Sequence, residues 1–180
     1  MTKPAGISAI ELSLREVGQI FETLDPYPFL ERDLDKDAEE FIVGWARELP
    51  RDHTLRIVVH LPAAEAQSRA AADLEGGMTR FFRHRAEAIG RDLRELFRIG
   101  RMSLLIGVAV LLVCVAAAQE VEFIAGDGPL ASVVGESLII LGWVANWRPL
   151  EIFLYEWWPI ARRRNLYRRL STAKVEVKQN

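Results

Sequence analysis

The chain has 180 residues, 50% of them hydrophobic, and its formal net charge at pH 7 is −2. This length allows one modest domain beside a membrane anchor, and it excludes two full soluble domains. The nearly balanced charge excludes a general nucleic-acid binder, which would carry a strong excess of Lys and Arg.

Two short segments near the N-terminus alternate apolar and polar residues, over 10–15 (IELSLR) and 55–61 (LRIVVHL). Alternation of this kind predicts half-buried β-strands. Between them, a helix is predicted to begin at Asp37 and to end before Pro50. The apolar stripe that we expect to face the core comprises Ala38, Phe41, Ile42, Trp45 and Leu49.

The C-terminal residues 172–178 (TAKVEVK) show the same alternation. They favour an edge strand that joins the N-terminal strands, since two strands alone make a marginal sheet in water. The alternative is a frayed tail, which is as common for a terminal segment this short. We therefore predict a small cytoplasmic α+β domain over 1–75. The basic C-terminal segment 161–180 would add a third strand to it if its end is not frayed.

The residues after the second predicted strand favour helix. The stretch 62–74 is rich in Ala, and Gly76 and Gly77 are expected to break or hinge it. A long juxtamembrane amphipathic helix is then predicted over 78–101, with apolar residues at alternating spacings of four and three, as in the seam of a short coiled coil. Such a seam packs in a homo-oligomer, against the chain's own domain or against a protein partner. Its members are Phe82, Ala86, Ile89, Leu93, Leu96 and Gly100.

Two apolar runs follow, over 102–118 (MSLLIGVAVLLVCVAAA) and 131–147 (ASVVGESLIILGWVANW). The first contains no charge, and its roughly 17 residues cover about 25 Å as a helix, the short end of what crosses a bilayer. The second contains one charge, Glu136, near its beginning. Because a soluble core helix is rarely apolar on every face for so long, we predict a two-span transmembrane helical hairpin. Its two legs would be joined by an extracytoplasmic loop over 119–130.

Charge asymmetry predicts the orientation of this hairpin. The loop contains no Lys or Arg, whereas arginines crowd the flanks of both spans, and the positive-inside rule then places both termini in the cytoplasm of a plasma membrane, such as a bacterial inner membrane. The first thirty residues hold no apolar block long enough for a signal peptide, in agreement with this placement. The same arginines would attract anionic lipid headgroups at roughly 1 kcal/mol each. They are Arg91, Arg94, Arg98 and Arg101 before the first span, and Arg162, Arg163, Arg164, Arg168 and Arg169 after the second.

Two interpretations remain for the residues after the second span. In the favoured one, an amphipathic helix over 149–160 lies in the membrane interface, because this leaves no charge in hydrocarbon. Trp147, Trp157 and Trp158 would then belong to an aromatic belt at the headgroups. In the other, the span continues to Ile160 with a kink at Pro149.

The second interpretation has a functional consequence. Arg148 and Glu151 would then lie in or near hydrocarbon, where ionic side chains usually serve function, and their pairing would line a polar path. The depth of Arg148 therefore decides between an anchor and a conduit.

No motif for metal, nucleotide or catalytic chemistry is present in the sequence. Asp33, Asp35 and Asp37 resemble the start of a calcium loop, but Ala38 stands where that loop needs Gly, and Gly44 where it needs Glu. Helix capping is the simpler explanation of these acids. No zinc, Walker or nucleophile-elbow spacing occurs, and a single cysteine excludes an intrachain disulfide, so we predict no cofactor and no metal.

These patterns predict a location and an architecture more firmly than a function. The leading hypothesis is a non-enzymatic anchoring or regulatory subunit that faces the cytoplasm and binds itself or a protein partner, because the seam and the thin sheet leave surfaces to cover. The alternative is a homo-oligomeric channel or transporter component, with Glu136, Arg148 and Glu151 on a polar path. A membrane enzyme is a third class, whose interfacial candidates would be Asn146, Arg148, Glu151 and Glu156.

Overall fold

The computed structural model describes residues 6–21, 33–126 and 128–179, and these are mostly helical, with one small parallel sheet. The chain divides into two compact units. The sheet unit comprises the residues up to Ile89 together with those from Arg162 onward, and the hairpin unit comprises Gly90–Ala161.

The sheet unit is built on three parallel strands in the order β1-β2-β3. Ile10 pairs with Ile57 of the central strand, and Ile57 pairs with Val175 on its other side. The C-terminal alternation therefore forms an edge strand and not a frayed tail. Parallel neighbours need long crossover connections, and the first of these contains helix α1 (Lys36–Glu48). The strands are β1 (Ile7–Ser13), β2 (Thr54–Leu61) and β3 (Lys174–Gln179).

The two faces of this sheet differ in polarity. On the outer face, Arg56 lies 3.3 Å from Glu176, and His60 lies 3.6 Å from Glu11. A hydrogen bond from Lys174 holds the pKa of Glu176 below its usual range. Parallel sheets are usually covered on both faces, whereas this one has a charged outer face. The inner face is buried and contains Ile10, Leu12, Ile57, Val59 and Val175.

Helix α1 buries a different face from the one that the sequence predicts. Phe41 and Trp45 are exposed, so the expectation that they face the core is wrong. The helix is turned because Glu39 is drawn into the unit, where it bonds to Arg85 and Tyr167. The buried residues of α1 are Glu39, Ile42, Val43 and Ala46.

Helix α3 (Arg69–Ala125) has 57 residues, about 86 Å at 1.5 Å per residue, and follows the short helix α2 (Ala63–Ala66). It passes through Gly76 and Gly77 without a break, so the predicted hinge is wrong. A helical glycine costs about 1 kcal/mol relative to alanine, but this one has a packing role. A Cβ at Gly77 would lie 3.2 Å from Cζ of Phe21, which packs closely there.

In the hairpin unit, α3 runs antiparallel to helix α4 (Pro129–Ala145). Helix α3 ends at Ala125 and is followed by Gly126, whose φ of +67° suits glycine after a helix C-terminus, and Pro129 opens α4. Residues 119–125 of the predicted loop continue α3, and Pro129 and Leu130 begin α4, so the helices extend into both ends of this stretch.

The second leg is one bent helical path that continues past residue 160 to Leu170. Pro149 has no N–H and crowds the carbonyl of Ala145, which explains the turn at Asn146. Pro159 crowds the carbonyl of Tyr155 in the same way, and a widened π-helical turn lies just before it. The parts after α4 are α5 (Trp147–Glu151), the π turn (Ile152–Glu156) and α6 (Trp157–Leu170).

Two helical stretches are long and apolar enough to cross a membrane, Arg69–Ile124 and Pro129–Leu170. Only 17% of the most apolar window of the first and 22% of that of the second is buried inside the chain. Length, composition and exposure therefore agree with the sequence in where membrane-span helices would lie.

Candidate functional site

A buried asparagine joins the two legs of the hairpin unit. The side-chain amide of Asn146 donates to the carbonyl of Gly107 at 3.1 Å and to that of Gly142 at 3.0 Å. The backbone N–H of Asn146 bonds to Trp143 O instead of reaching one full turn back, which leaves the Gly142 carbonyl available. A Cβ at Gly107 would lie 2.7 Å from Asn146 Oδ1, so this crossing requires a glycine.

Small residues at intervals of seven let the two legs approach closely. A Cβ at Gly142 would lie 3.1 Å from Leu111 Cα and 3.2 Å from Cys114 Cβ, and a Cβ at Gly100 would lie 2.9 Å from Ile152 Cγ2. The spans contain no GxxxG pattern, and the repeat of small residues is instead seven, as in a coiled coil. The buried residues of this repeat are Gly100, Gly107 and Cys114 on α3, and Gly135, Gly142 and Pro149 on the second leg.

Arg148 is held by two glutamates, and the π turn explains how. Its Nη1 lies 3.1 Å from Glu151 Oε2, and the guanidinium also pairs with Glu156, Nη2 lying 3.3 Å from Oε2. In a regular helix, residues eight apart are about 80° apart around the axis. The π turn inserts one extra residue, so Glu156 returns to the face of Arg148. In the cluster Arg148–Glu151–Glu156, the arginine is exposed and both glutamates are half-buried, and the formal charge of the three side chains is −1.

The packing of the legs fixes the level of Arg148 within the hairpin unit. Asn146 contacts Gly107, and Ile152 lies against Gly100, so Arg148 is level with the α3 segment between these glycines. That segment, 100–107, contains Arg101. Every residue of the segment lies within about 9 Å of Arg101 along the helix axis. Arg148 therefore lies at the arginine-rich end of the apolar run and not at its centre.

Glu136 belongs to a different part of the hairpin unit from the Arg148 cluster. It lies 12 residues earlier, about 18 Å along the axis and about 120° around an ideal helix, and it is exposed. The structure brings Arg148 and Glu151 together, as the sequence suggested, but it does not bring Glu136 to them.

The predicted aromatic belt is divided between packed and exposed rings. Trp157 packs near Phe97, with ring centroids 6.4 Å apart, and its indole N–H donates to the carbonyl of Phe153 at 2.9 Å. Trp147 and Trp158 are exposed on the outside of the hairpin unit. Of the three tryptophans predicted for the belt, these two present their rings to the surroundings of the chain.

The predicted coiled-coil seam lies inside the chain. Phe82 and Ile89 are buried in the sheet unit, Leu93 is buried in the hairpin unit, and Leu96 is half-buried. Phe82 packs against Tyr167, with ring centroids 6.2 Å apart. The sequence leaves open whether the seam packs in a homo-oligomer, on the chain's own domain or on a protein partner. Most of the seam is covered by the chain itself.

A buried ionic network joins α1, α3 and α6 in the sheet unit, and the sequence does not reveal it. Glu39 Oε1 accepts a hydrogen bond of 2.5 Å from the hydroxyl of Tyr167, and Glu39 Oε2 accepts one of 3.1 Å from Arg85. The glutamate and the tyrosine are 8% and 3% exposed. The guanidinium of Arg163 stacks over the Tyr167 ring at 5.7 Å. Each acidic oxygen of Glu39 thus has a donor, which satisfies a buried charge.

This environment shifts the pKa values of two members of the network. Burial raises the pKa of Tyr167 above its usual range, the Glu39 carboxylate raises it further, and Arg163 opposes this change. Burial lowers the pKa of Arg85, but its hydrogen bond to Glu39 and the attraction of the surrounding acidic groups together more than offset this, and the net shift of the pKa is upward. At neutral pH the phenol of Tyr167 is therefore neutral and the guanidinium of Arg85 is charged.

The structure also gives roles to residues that the sequence left without one. Ser8 Oγ lies 2.7 Å from Nδ1 of His53, and no described residue is recorded as a third member that orients this pair. Asp35 caps α1 by accepting hydrogen bonds from the N–H groups of Asp37 and Ala38, as predicted. Within 6–21, 33–126 and 128–179, no group of three or more His, Cys, Asp or Glu could hold a metal ion.

The fold and these sites define a mostly helical protein with a small parallel sheet and two helices of membrane-span length. No family model matches the sequence, and neither a curated protein nor a solved structure matches the chain. Its function is therefore argued from its own residues.

Proposed function

We propose that the protein is a two-span integral membrane protein that anchors the sheet unit in the cytoplasm as a non-enzymatic interaction or regulatory subunit. The observation that carries the proposal is the continuous apolar surface of the hairpin unit. Leu105, Leu112, Val113 and Trp143 are each more than 60% exposed, and they belong to a long series of exposed apolar residues. Soluble monomers rarely expose apolar patches beyond a few hundred Å². A bilayer would cover this surface.

The charge distribution supports the orientation. Arg91, Arg94, Arg98 and Arg101 are exposed at one end of the hairpin unit, and Glu120, Glu122 and Glu136 are exposed toward the other. The arginine end is also the end at which both legs continue toward the sheet unit. By the positive-inside rule, this end and both termini face the cytoplasm.

A non-enzymatic role is supported by what the described residues offer for chemistry. The buried Glu39 network has every charge paired, which is typical of a structural role, and the Ser8–His53 pair has no orienting partner. The seam is covered by the chain itself, so association with another molecule would use other surfaces.

We expect the protein to stay in the membrane pellet after alkaline carbonate extraction. In a variant with Cys114→Ala, a cysteine introduced by Ser132→Cys should react with an impermeant maleimide in intact cells, because Ser132 is exposed near the acidic turn. A cysteine introduced by Ser171→Cys should react only after permeabilisation. Release by carbonate would contradict membrane insertion, and the reverse labelling pattern would contradict the orientation.

The depth of Arg148 distinguishes an anchor from the conduit alternative. Its pairing with two glutamates and its level near Arg101 favour a headgroup position, where its charge need not enter hydrocarbon. A spin label at Arg148→Cys in vesicles, in the Cys114→Ala background, should be more accessible to a water-soluble relaxation agent than one at Ile140→Cys. Equal burial of both labels, with ion flux that changes on Arg148→Gln, would favour the conduit.

A further inference from the structure

Two exposed aromatic side chains form a ridge on α1 of the sheet unit. Phe41 is 44% exposed and Trp45 is 49% exposed, and their ring centroids lie 6.1 Å apart. They are one helical turn apart, so the rings stand side by side on one face. Exposed aromatic pairs of this kind are enriched where proteins bind other proteins. We call these two residues the aromatic ridge.

A glycine, Gly44, lies beside the ridge, and no packing contact within the chain requires a glycine at this position. Gly44 occupies the middle of α1, where glycine costs about 1 kcal/mol relative to alanine, and a Cβ at this position would meet nothing within 4 Å. This contrasts with Gly77, Gly107 and Gly142, where a Cβ would contact another part of the chain. A bare helix surface at Gly44 lets another backbone approach closely.

Acidic side chains line the other side of this glycine. Glu40, Gly44 and Glu48 are spaced by four residues and form a row parallel to the aromatic ridge, with Lys36 at the first position of the same row. Asp37 lies next to that row. All three acids are exposed. The face therefore combines an apolar row, a place of close approach and a negative row.

We propose that this face of α1 binds a basic amphipathic helix of another protein. Leu-like side chains of such a helix would pack on the ridge, and its arginines would pair with Glu40 and Glu48 while its backbone passes over Gly44. The proposal deepens the proposed function, because it names the kind of partner that the anchored sheet unit holds, and it rests on the cytoplasmic placement of that unit.

The charge pattern argues against two other occupants. Packing α1 on α1 of a second copy would bring the acidic rows together, and like charges in contact are unfavourable. Among the described residues of the sheet unit, Ile7 is the only other exposed large hydrophobic side chain, so this part of a second copy offers no basic apolar counterpart. Anionic lipid would be repelled by Asp37, Glu40 and Glu48.

The test uses the full chain in nanodiscs of phosphatidylcholine and a fluorescent helical peptide of about 18 residues with Leu and Arg on one face. A matched peptide carries Glu in place of Arg. We expect the basic peptide to bind at least about tenfold more tightly than the acidic one, as measured by fluorescence anisotropy. The double variant Phe41→Ser/Trp45→Ser should weaken binding of the basic peptide by at least about tenfold.

Two further variants distinguish binding to this face of α1 from non-specific electrostatic attraction of the basic peptide. Gly44→Leu keeps every charge and both rings but blocks the close approach, and it should also weaken binding about tenfold. Lys178→Ala, on strand β3 and away from α1, should change the affinity less than about threefold. Far-UV circular dichroism checks that each variant keeps its helices.

Three outcomes would overturn the proposal. If the peptide binds the parent, the Phe41→Ser/Trp45→Ser variant and the Gly44→Leu variant with equal affinity, it binds elsewhere. Loss of a native dimer in the Phe41→Ser/Trp45→Ser variant would identify a second copy as the occupant. Ridge-dependent binding to added anionic vesicles would identify lipid. Each result is independent of carbonate extraction and maleimide labelling, which test the membrane anchor itself.

Discussion

Replacing Gly142 with leucine is expected to destabilise the hairpin unit by about 3 kcal/mol. A Cβ at this position would already lie 2.7 Å from Leu111 Cδ1, 3.1 Å from its Cα and 3.2 Å from Cys114 Cβ. The flexible end of Leu111 can move, but its Cα cannot without separating the helices. Separation would also weaken the hydrogen bonds that the Asn146 amide donates to Gly107 and Gly142.

The single cysteine provides the measurement for this variant. Cys114 is buried at the crossing, so a thiol-reactive dye reports the opening of the hairpin unit during heating in detergent. The midpoint of thermal unfolding should fall by on the order of 10 °C. Ser137→Leu adds the same side chain at an exposed position of α4 and should change the midpoint little. An equal fall in both variants would contradict a close crossing at Gly142.

The strands and the membrane-span helices could be predicted because their signals are local. Alternation over 10–15, 55–61 and 172–178 gives three strands within a few residues of their observed bounds. The uncharged run over 102–118 lies within α3, and 131–147 contains most of α4. Each of these patterns repeats every two residues or extends over a whole span, so no distant contact is needed to recognise it.

The errors occurred where a distant contact overrides a local preference. Phe21 packs on Gly77, which keeps α3 continuous where two glycines suggested a hinge. Glu39 bonds to Tyr167, which is 128 positions away, and this bond turns α1 so that its largest apolar residues face outward. Spacing within α1 shows a wide apolar arc, but it cannot show which part of the arc the rest of the unit covers.

The candidate sites were predictable to different degrees for the same reason. The pairing of Arg148 with Glu151 is a local spacing of three residues and was foreseen. Glu156 joins them only because of the π turn, and local sequence propensities do not predict a π turn. The repeat of small residues at intervals of seven is visible in the sequence, but it differs from the GxxxG spacing of four that is typical of closely packed membrane helices.

Replacing Tyr167 with phenylalanine is expected to destabilise the sheet unit by about 2 kcal/mol at neutral pH. The change removes a buried hydrogen bond of 2.5 Å to a carboxylate and leaves Glu39 with Arg85 as its donor. Urea unfolding in detergent, followed by far-UV circular dichroism, measures the difference. Tyr155→Phe is the matched control, because Tyr155 is 71% exposed and should lose no stability.

The difference between the Tyr167→Phe variant and the parent should narrow at alkaline pH. The ordinary pKa of tyrosine is 10.0, and the folded protein raises that of Tyr167 through burial and through the Glu39 carboxylate. Above about pH 10, the unfolded chain releases this proton while the folded chain retains it, so the parent loses stability as pH rises from 10 toward the folded pKa. The phenylalanine variant has no proton to release and lacks this loss. A constant difference from about pH 8 to about pH 11 would contradict a buried phenol bound to Glu39.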